Sequence, residues 1–411
     1  MKKRGWAAIA AVCLILRLLA WAVPVSAAET PEGLYAQAAV VMEAKTGRIL
    51  YEKNGNEQRA MASTTKLMTL VIALEYGDFS KPVTVSERAA SQPKVNMSLR
   101  TGETFRLKDL LYALMLQSCN DAAIAIAEAV AGSVEEFCWL MNMKAVSLGA
   151  VQTHFATPNG LDREDHYSTA VDMALISRYV LGSEEAMAIL KTPSYTIAKD
   201  AVNSRSVSLV NKNPLLTSYA GAIGGKTGFT AKAGLCLVGM AQRDGVTLIA
   251  VVLGAGWPPH STYRVRDCQK LFEYAFTRYR FASLPVSERD TGEPVEVHNG
   301  RKDRVSTCVS GEAEYYLCEE DLWELEYDLP YVVEAPVRKG QVLGSAALCI
   351  NGQAVAYLAV TAAEDVPRRT WLDYFKQLLQ EDQVWNACKS LWPIAASVPG
   401  ASVKNGLPQD G

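Results

Sequence analysis

The spacing of hydrophobic and polar residues changes along the chain, from an alternating pattern to a helical one. From Ala38 to Tyr51 it predicts strand, turn, strand, and Gly47 in the turn suits a positive φ angle. From Ser63 to about Tyr76, apolar residues recur at i, i+3, i+4 and i+7, which predicts a helix. The chain therefore opens on a hairpin followed by a helix.

The same two patterns predict most of the next 200 residues. Helices are predicted at 107–116, 122–131, 171–180 and 264–279, and strands at 224–229, 235–242 and 247–253. Asp121 is placed to cap the helix that follows it. A strand pair, then helices, then three strands and a last helix are typical of an α+β domain whose first and last strands share one antiparallel sheet.

Beyond about residue 284 the composition shifts to Val, Thr, Glu and Gly, and helical periodicity disappears until Trp371. Short strands with turn residues between them indicate an all-β region. The predicted organisation is a first domain at 29–284, a small all-β domain at 285–366, an amphipathic helical segment at 367–393 and a disordered tail at 394–411.

The amphipathic segment at 367–393 has two interpretations. Its apolar residues, Trp371 and Phe375 among them, fall on one helical face that is suited to the surface of a membrane. Its basic residues are offset by acidic ones, so attraction to anionic lipid is weak, and docking on the protein itself is the alternative. We favour peripheral membrane association.

The first 28 residues have the layout of a secretory signal peptide. Basic residues at 2–4 precede an apolar run from Ala7 to Val23, and small residues follow at 26–28. An uncleaved membrane anchor is the rival interpretation. The run is shorter than the roughly 20 residues of a spanning helix and is interrupted by Arg17, so cleavage is favoured.

Composition narrows the function classes further. A chain of 411 residues with a formal net charge of -3 suggests two domains and argues against a basic nucleic-acid-binding face. The nine cysteines and four histidines are scattered without metal-site spacing, so we expect no metal and no cofactor. Cys308 and Cys318 flank a turn and can form a disulfide or remain thiols, and export permits either.

The first chemical motif is Ser63-Thr64-Thr65-Lys66. Residues three apart on a helix lie on the same face, so Lys66 can reach the Ser63 hydroxyl. A serine hydroxyl is a weak nucleophile and needs an adjacent base, and lysine serves as one only when its pKa is lowered. Alone, this spacing is common by chance.

The second motif is Ser118-Cys119-Asn120, between two predicted helices. A hydroxyl can pass a proton between a lysine and a leaving amine, and an amide can bind a substrate carbonyl. The triplet is also ordinary loop chemistry, so it carries little weight by itself. Cys119 is interpreted as a small side chain under the loop.

The third motif is Lys226-Thr227-Gly228, on a predicted strand. A cation and a hydroxyl there suit a carboxylate, and glycine lets a substrate lie along the strand. The identical triplet Lys45-Thr46-Gly47 lies in the hairpin turn upstream of Ser63, and we interpret that copy as structural.

All three motifs in this order resemble those of the low-molecular-mass penicillin-binding proteins that are serine-type D-alanyl-D-alanine carboxypeptidases. The resemblance covers about residues 35–280 and extends to Asn159-Gly160-Leu161 and to His166-Tyr167-Ser168. It implies an α+β fold with a penicillin-binding/β-lactamase-like antiparallel sheet and helices, followed by the small all-β domain.

The resemblance also implies catalytic roles. Ser63 would be the acylated nucleophile and Lys66 its general base, and Ser118 and Asn120 would serve proton transfer and positioning. The reaction would be removal of the terminal D-alanine from peptidoglycan stem peptides by an exported enzyme that β-lactam antibiotics such as penicillin inhibit.

For the substrate, the resemblance implies a set of residues around the third motif. Lys226 and Thr227 would hold the terminal carboxylate, and Gly228 would admit the peptide beside the strand. The backbone N–H groups of Ser63 and Phe229 would form the oxyanion hole, whose donors are typically worth about 3–4 kcal/mol each.

Other activities use the same motifs. A β-lactamase also needs a base for deacylation, and Glu164 lies in roughly the right region but lacks the sequence that should follow it. DD-endopeptidase or transpeptidase activity remains open. A muropeptide-binding protein without catalysis is disfavoured because Ser63, Lys66 and Lys226 are all present.

Overall fold

The computed structural model describes residues 30–79, 81–284, 286, 289–310 and 313–380. The predicted signal peptide at 1–28, the predicted tail at 394–411 and the end of the segment at 367–393 lie outside these residues. The described residues divide into two compact units, one up to Arg280 and the other from Phe281 onward.

The first unit contains the predicted strand pair, helices, three strands and last helix, together with four short strands and further helices that were not predicted. Its strands are β1 Ala38–Glu43, β2 Ile49–Lys53, β3 Pro82–Thr84, β4 Thr104–Arg106, β5 Ser194–Ile197, β6 Val207–Val210, β7 Ala222–Thr230, β8 Gly234–Arg243 and β9 Val246–Leu253. Its helices are α1 Lys66–Tyr76, α2 Glu87–Ala90, α3 Leu107–Tyr112, α4 Asn120–Ala131, α5 Val134–Ser147, α6 Ala170–Leu181, α7 Glu184–Lys191, α8 Leu215–Ser218 and α9 Tyr263–Arg278.

A five-stranded antiparallel sheet in the order β2-β1-β9-β8-β7 organises this unit. The first strands pair with the last, with Val40 opposite Val251, so the chain ends of the unit meet in one sheet. Every residue of β1 is buried, and α6 and α9 both pack against the sheet. This arrangement confirms the predicted α+β class.

Three predicted helices differ from the structure at their ends. The helix expected from Ser63 starts as a 3₁₀ turn at Ala62–Thr65, and the helix expected at 107–116 ends as a π-helical turn at Ala113–Gln117. Helix α4 begins at Asn120, so Asp121 is not its cap. The Asp121 carboxylate instead accepts N–H groups from residues 97 and 99, since it is buried within the first turn.

The second unit is mostly β-structure. Its elements are β10 Arg280–Leu284, β11 Arg289–Asp290, β12 Val295–His298, β13 Arg304–Val305, β14 Thr307–Ser310, β15 Ala313–Leu317, β16 Trp323–Asp328, β17 Val332–Glu334, β18 Val342–Ile350, β19 Gln353–Ala362 and α10 Trp371–Gln380. The largest sheet has the order β11-β14-β19-β18-β16. Cys308 and Cys318 are free thiols in the structure.

Candidate active site

The 3₁₀ turn Ala62–Thr65 and the first residue of α1 bring a serine and a lysine together. Lys66 Nζ lies 2.9 Å from Ser63 Oγ, the contact expected from their spacing. Ala62 is buried with φ +49°, an uncommon conformation for a residue with a side chain. The residue before the serine is therefore held in a backbone conformation that the surrounding structure must maintain.

Burial sets the chemistry of Lys66. The side chain is fully buried, and its pKa is lowered well below its ordinary value, first by burial and then by the charge of Lys226. A lysine whose neutral form is favoured offers a lone pair to the Ser63 hydroxyl. The geometry and the electrostatics are those of a serine activated by an amine.

The predicted residues between α3 and α4 lie on the other side of Lys66. Asn120 Oδ1 accepts a hydrogen bond of 2.9 Å from Lys66 Nζ, while its amide group donates to the carbonyl of Pro93. Ser118 adopts a left-handed conformation with φ +65°. Its buried hydroxyl has no hydrogen-bond partner among the described residues, so it is available to a bound substrate.

Cys119 lies between these two residues but is fully buried beneath them. Burial raises the pKa of its thiol to about 12, so it stays protonated and is a poor nucleophile. The interpretation of Cys119 as a small packing residue agrees with this environment.

The third motif lies on strand β7, and this strand packs against the turn that contains Ser63. A Cβ atom at Gly228 would lie 3.0 Å from the Ser63 nitrogen, so a side chain there would push the strand and the turn apart by a few tenths of an ångström. Thr227 is half-buried and Phe229 is 45% exposed, so both can meet a ligand that lies along the strand. Lys226 is buried and donates to the carbonyl of Thr227 at 2.9 Å.

The pKa of Lys226 is also lowered. Burial, followed by the nearby charges of Arg264 and Lys212, lowers its pKa to about 7. At neutral pH a substantial share of this side chain is therefore cationic and can bind a carboxylate.

Arg264 of α9 was not predicted as a site residue. Its Nη1 donates to the carbonyl of Gly228 at 2.9 Å, and its buried Nε has no hydrogen-bond partner among the described residues. It adds a second cation behind β7. The helix pattern identified α9, but nothing in the sequence shows that Arg264 faces the motif on a strand 36 residues earlier.

A loop from Thr153 to Ser168, which we call the site loop, also reaches the serine. The backbone carbonyl of Asn159 accepts a hydrogen bond from Lys66 Nζ and lies 3.4 Å from Ser63 Oγ. A Cβ atom at Gly160 would lie 2.1 Å from the carbonyl oxygen of Ala62, so glycine is required there. The family resemblance included Asn159-Gly160-Leu161 but predicted no contact between this segment and the serine.

The second copy of the third motif lies far from this chemistry. Residues 45–47 form the turn between β1 and β2, where the Glu43 carboxylate accepts the N–H groups of Lys45 and Thr46. Gly47 has φ +79°, as expected of the turn. Within the described residues, no cluster of histidine, cysteine or acidic side chains could hold a metal ion.

Fold and site together define a serine peptidase of the penicillin-binding class, in which a buried lysine is hydrogen-bonded to a serine beside the edge strand of an antiparallel sheet. A family model described as D-alanyl-D-alanine carboxypeptidase matches residues 25–256. The chain belongs to this family and is a serine-type D-Ala-D-Ala carboxypeptidase, as its motifs predicted.

Named relatives and solved structures agree with this assignment. The chain is 34% identical to D-alanyl-D-alanine carboxypeptidase DacF of Bacillus subtilis, across 84% of this chain and 89% of that protein. It is 32% identical to DacC of Escherichia coli, across 80% and 84%. Penicillin-binding protein 5 of Haemophilus influenzae has a similar structure, with a TM-score of 0.66, 28% identity and coverage of 82% and 99%.

Proposed function

We propose that this enzyme is exported and removes the terminal D-alanine of peptidoglycan stem peptides through an acyl-enzyme on Ser63, which penicillin also forms. The observation that carries the proposal is the 2.9 Å contact between Ser63 Oγ and the fully buried Lys66. The names of the relatives supply the bond that is cleaved.

In the proposed acylation, neutral Lys66 takes the proton of Ser63 as Oγ attacks the carbonyl of the penultimate D-alanine. The backbone N–H groups of Ser63 and Phe229 bind the oxyanion, because β7 lies directly against the 3₁₀ turn. Ser118, whose hydroxyl is otherwise unpaired among the described residues, relays the proton to the leaving amine. Water then releases the shortened peptide.

The substrate carboxylate is proposed to bind at β7. Lys226 and Thr227 supply a cation and a hydroxyl donor, and Gly228 leaves room for the peptide beside the strand. Asn120 is proposed to orient Lys66, to which it is hydrogen-bonded, and to bind the substrate's backbone.

The test measures D-alanine release from a peptide ending in D-Ala-D-Ala. We expect release by the wild-type enzyme and none by Ser63→Ala, and a covalent penicillin adduct only when Ser63 is present. Release that persists in Ser63→Ala would refute the acyl-enzyme. Absence of release by the wild-type enzyme would refute the proposed reaction.

The duplicated triplet offers a matched control for the carboxylate site. Lys226→Ala removes a charged hydrogen-bond donor, so kcat/KM should fall about 10- to 100-fold. Lys45→Ala removes the same residue from an identical triplet in an exposed turn, so kcat/KM should stay within twofold. Equal losses in both variants would contradict the assignment of β7 as the carboxylate site.

A β-lactamase mechanism receives no support from the site loop. Glu164, the residue considered as a deacylating base, is exposed. The slow release of penicillin expected of a carboxypeptidase is measured directly by the lifetime of the adduct, and rapid turnover would favour the lactamase.

We also propose that the enzyme acts outside the cytoplasm and contacts the membrane through α10. Trp371 and Phe375 are 74% and 53% exposed, which leaves an apolar face uncovered within the described part of the helix. No helix in the described residues is long and apolar enough to cross a membrane. Trp371→Ser with Phe375→Ser should abolish cosedimentation with phospholipid vesicles, and binding that survives would refute this contact.

A further inference from the structure

The site loop is fastened to the start of α1 at several points. Besides the contact between Asn159 and Lys66, Thr69 Oγ1 donates to the carbonyl of Pro158 at 2.6 Å. These bonds connect segments about 90 residues apart in sequence. The position of the loop therefore affects the position of the base.

His166 joins the two segments through a chain of three hydrogen bonds. The backbone N–H of Ala156 donates to His166 Nδ1 at 3.0 Å. His166 Nε2 lies 2.9 Å from Thr65 Oγ1, and that hydroxyl donates to the carbonyl of Ala62 at 2.8 Å. One end of the chain is the loop that presents Asn159, and the other is the residue before the nucleophile.

These partners determine the protonation state of the imidazole. An N–H group can only donate, so His166 Nδ1 must accept and carries no proton. The Thr65 hydroxyl uses its own proton for the carbonyl of Ala62, so Nε2–H must donate to Thr65 Oγ1. All three hydrogen bonds form together only when His166 is neutral and protonated on Nε2.

We propose that His166 is a positioning residue for acylation, which holds the turn bearing Ser63 and the loop bearing Asn159 in register with Lys66. Among the described residues His166 hydrogen-bonds to Thr65 and Ala156 rather than to the nucleophile or the base, and acts on both through these two partners. The inference rests on the proposed acyl-enzyme mechanism and adds to it a requirement for one tautomer at a residue outside the three motifs.

The surroundings of His166 favour its neutral form. The side chain is 2% exposed, and burial lowers its pKa to about 4. The positive charge of Arg163 and the neighbouring His154 act in the same direction, while Asp165 opposes them. A second proton on the ring, at Nδ1, would face the N–H of Ala156 and break the hydrogen bond between them.

Nitrogen NMR of histidine-labelled enzyme tests the tautomer directly. The chain has four histidines, so comparison with His166→Gln assigns the signal. We expect a protonated Nε2, an unprotonated Nδ1 and no titration above about pH 5. A proton on Nδ1, or a titration near pH 6.5, would overturn the proposal.

Kinetics test the role in acylation. His166→Leu removes both hydrogen bonds, and we expect acylation by penicillin and kcat for D-alanine release to fall about 100-fold with KM within threefold, because a small misplacement of the reacting groups slows chemistry. His166→Gln keeps an acceptor and a donor and should recover activity to within about tenfold of wild type. His260→Gln, on an exposed residue, should match wild type.

Thr65→Val is the second variant, in case His166→Leu does not fold. It deletes the hydroxyl between His166 and Ala62, and should reduce acylation similarly while thermal unfolding shows a folded protein. Wild-type acylation rates in His166→Leu or in folded Thr65→Val would refute the positioning role while leaving the proposed function intact. Failure of the wild-type enzyme to release D-alanine refutes the proposed function itself.

Discussion

Two buried lysines in one site are assigned opposite protonation states. Lys66 must be neutral to accept a proton, and burial, followed by the charge of Lys226, lowers its pKa well below its ordinary value. Lys226 must be cationic to hold a carboxylate, and its pKa is lowered to about 7. Both groups are correctly charged only over a limited range of pH.

Deprotonation of Lys226 sets the alkaline limit of that pH range. As the pH rises through about 7, the free enzyme loses this cation, so kcat/KM for a peptide with a free carboxylate should fall. Lys226→Arg keeps its charge at all relevant pH values, so its alkaline limb should move upward by two units or more, whatever its absolute rate. Profiles of kcat/KM from pH 5 to 10 in both enzymes measure the pH of the alkaline fall. If this pH is the same in Lys226→Arg as in the wild type, a group other than Lys226 causes the fall.

His166 should also make stability depend on pH. Its pKa is lowered from 6.5 to about 4 in the folded protein, so the unfolded chain binds the proton first. The contribution of neutral His166 to the free energy of unfolding is therefore fully present above pH 6.5. It is lost as the pH falls towards 4, by about 3 kcal/mol in total. Denaturant unfolding at several pH values should show a shallower loss in His166→Gln, and parallel curves would contradict this.

At the level of elements, two glycines have almost the same backbone conformation but different surroundings. Comparing their alanine variants distinguishes the effect of backbone strain from the effect of a close contact. Gly160 has φ +81° and would place a Cβ atom 2.1 Å from the carbonyl oxygen of Ala62. Gly102 has φ +84° and nothing within 4 Å of that position. Alanine at either position carries the cost of a left-handed residue, roughly 1–2 kcal/mol. Only Gly160→Ala also pushes the site loop away from the turn that holds Ser63.

We therefore expect Gly160→Ala to lose about 100-fold or more in acylation rate, and Gly102→Ala to stay within threefold of wild type. Penicillin acylation rates and thermal unfolding of both variants check this. If Gly102→Ala loses as much acylation as Gly160→Ala, strain rather than the loop contact limits the reaction.

Elements whose pattern is local were predictable from the sequence. Strands β7, β8 and β9 were predicted to within two residues at each end, because apolar runs and the Asp244-Gly245 turn mark them. The site loop was assigned no catalytic contact. Its contribution is a backbone carbonyl at Asn159, which no side-chain motif reports, and its partner Lys66 is 93 residues away.

For the molecule as a whole, the catalytic groups and the large core belong to the first unit. Among the described residues, the buried members of the core cluster beneath the site run from Ala38 to Leu253. Smaller clusters, including those around Val309 and Val297, lie in the second unit. Each unit therefore has its own hydrophobic core, as expected of separate domains.

A chain of residues 30–280 should therefore fold and remain a penicillin target. Because the described members of the core cluster that supports the site end at Leu253, removing the second unit deletes none of them. We expect penicillin acylation and D-alanine release from a soluble peptide within about threefold of the full chain, with Ser63→Ala in the same fragment as the inactive control. Loss of acylation in a folded fragment would mean that the second unit helps to shape the active site. Its role would then be to support catalysis, rather than to act only as a spacer or a binding surface.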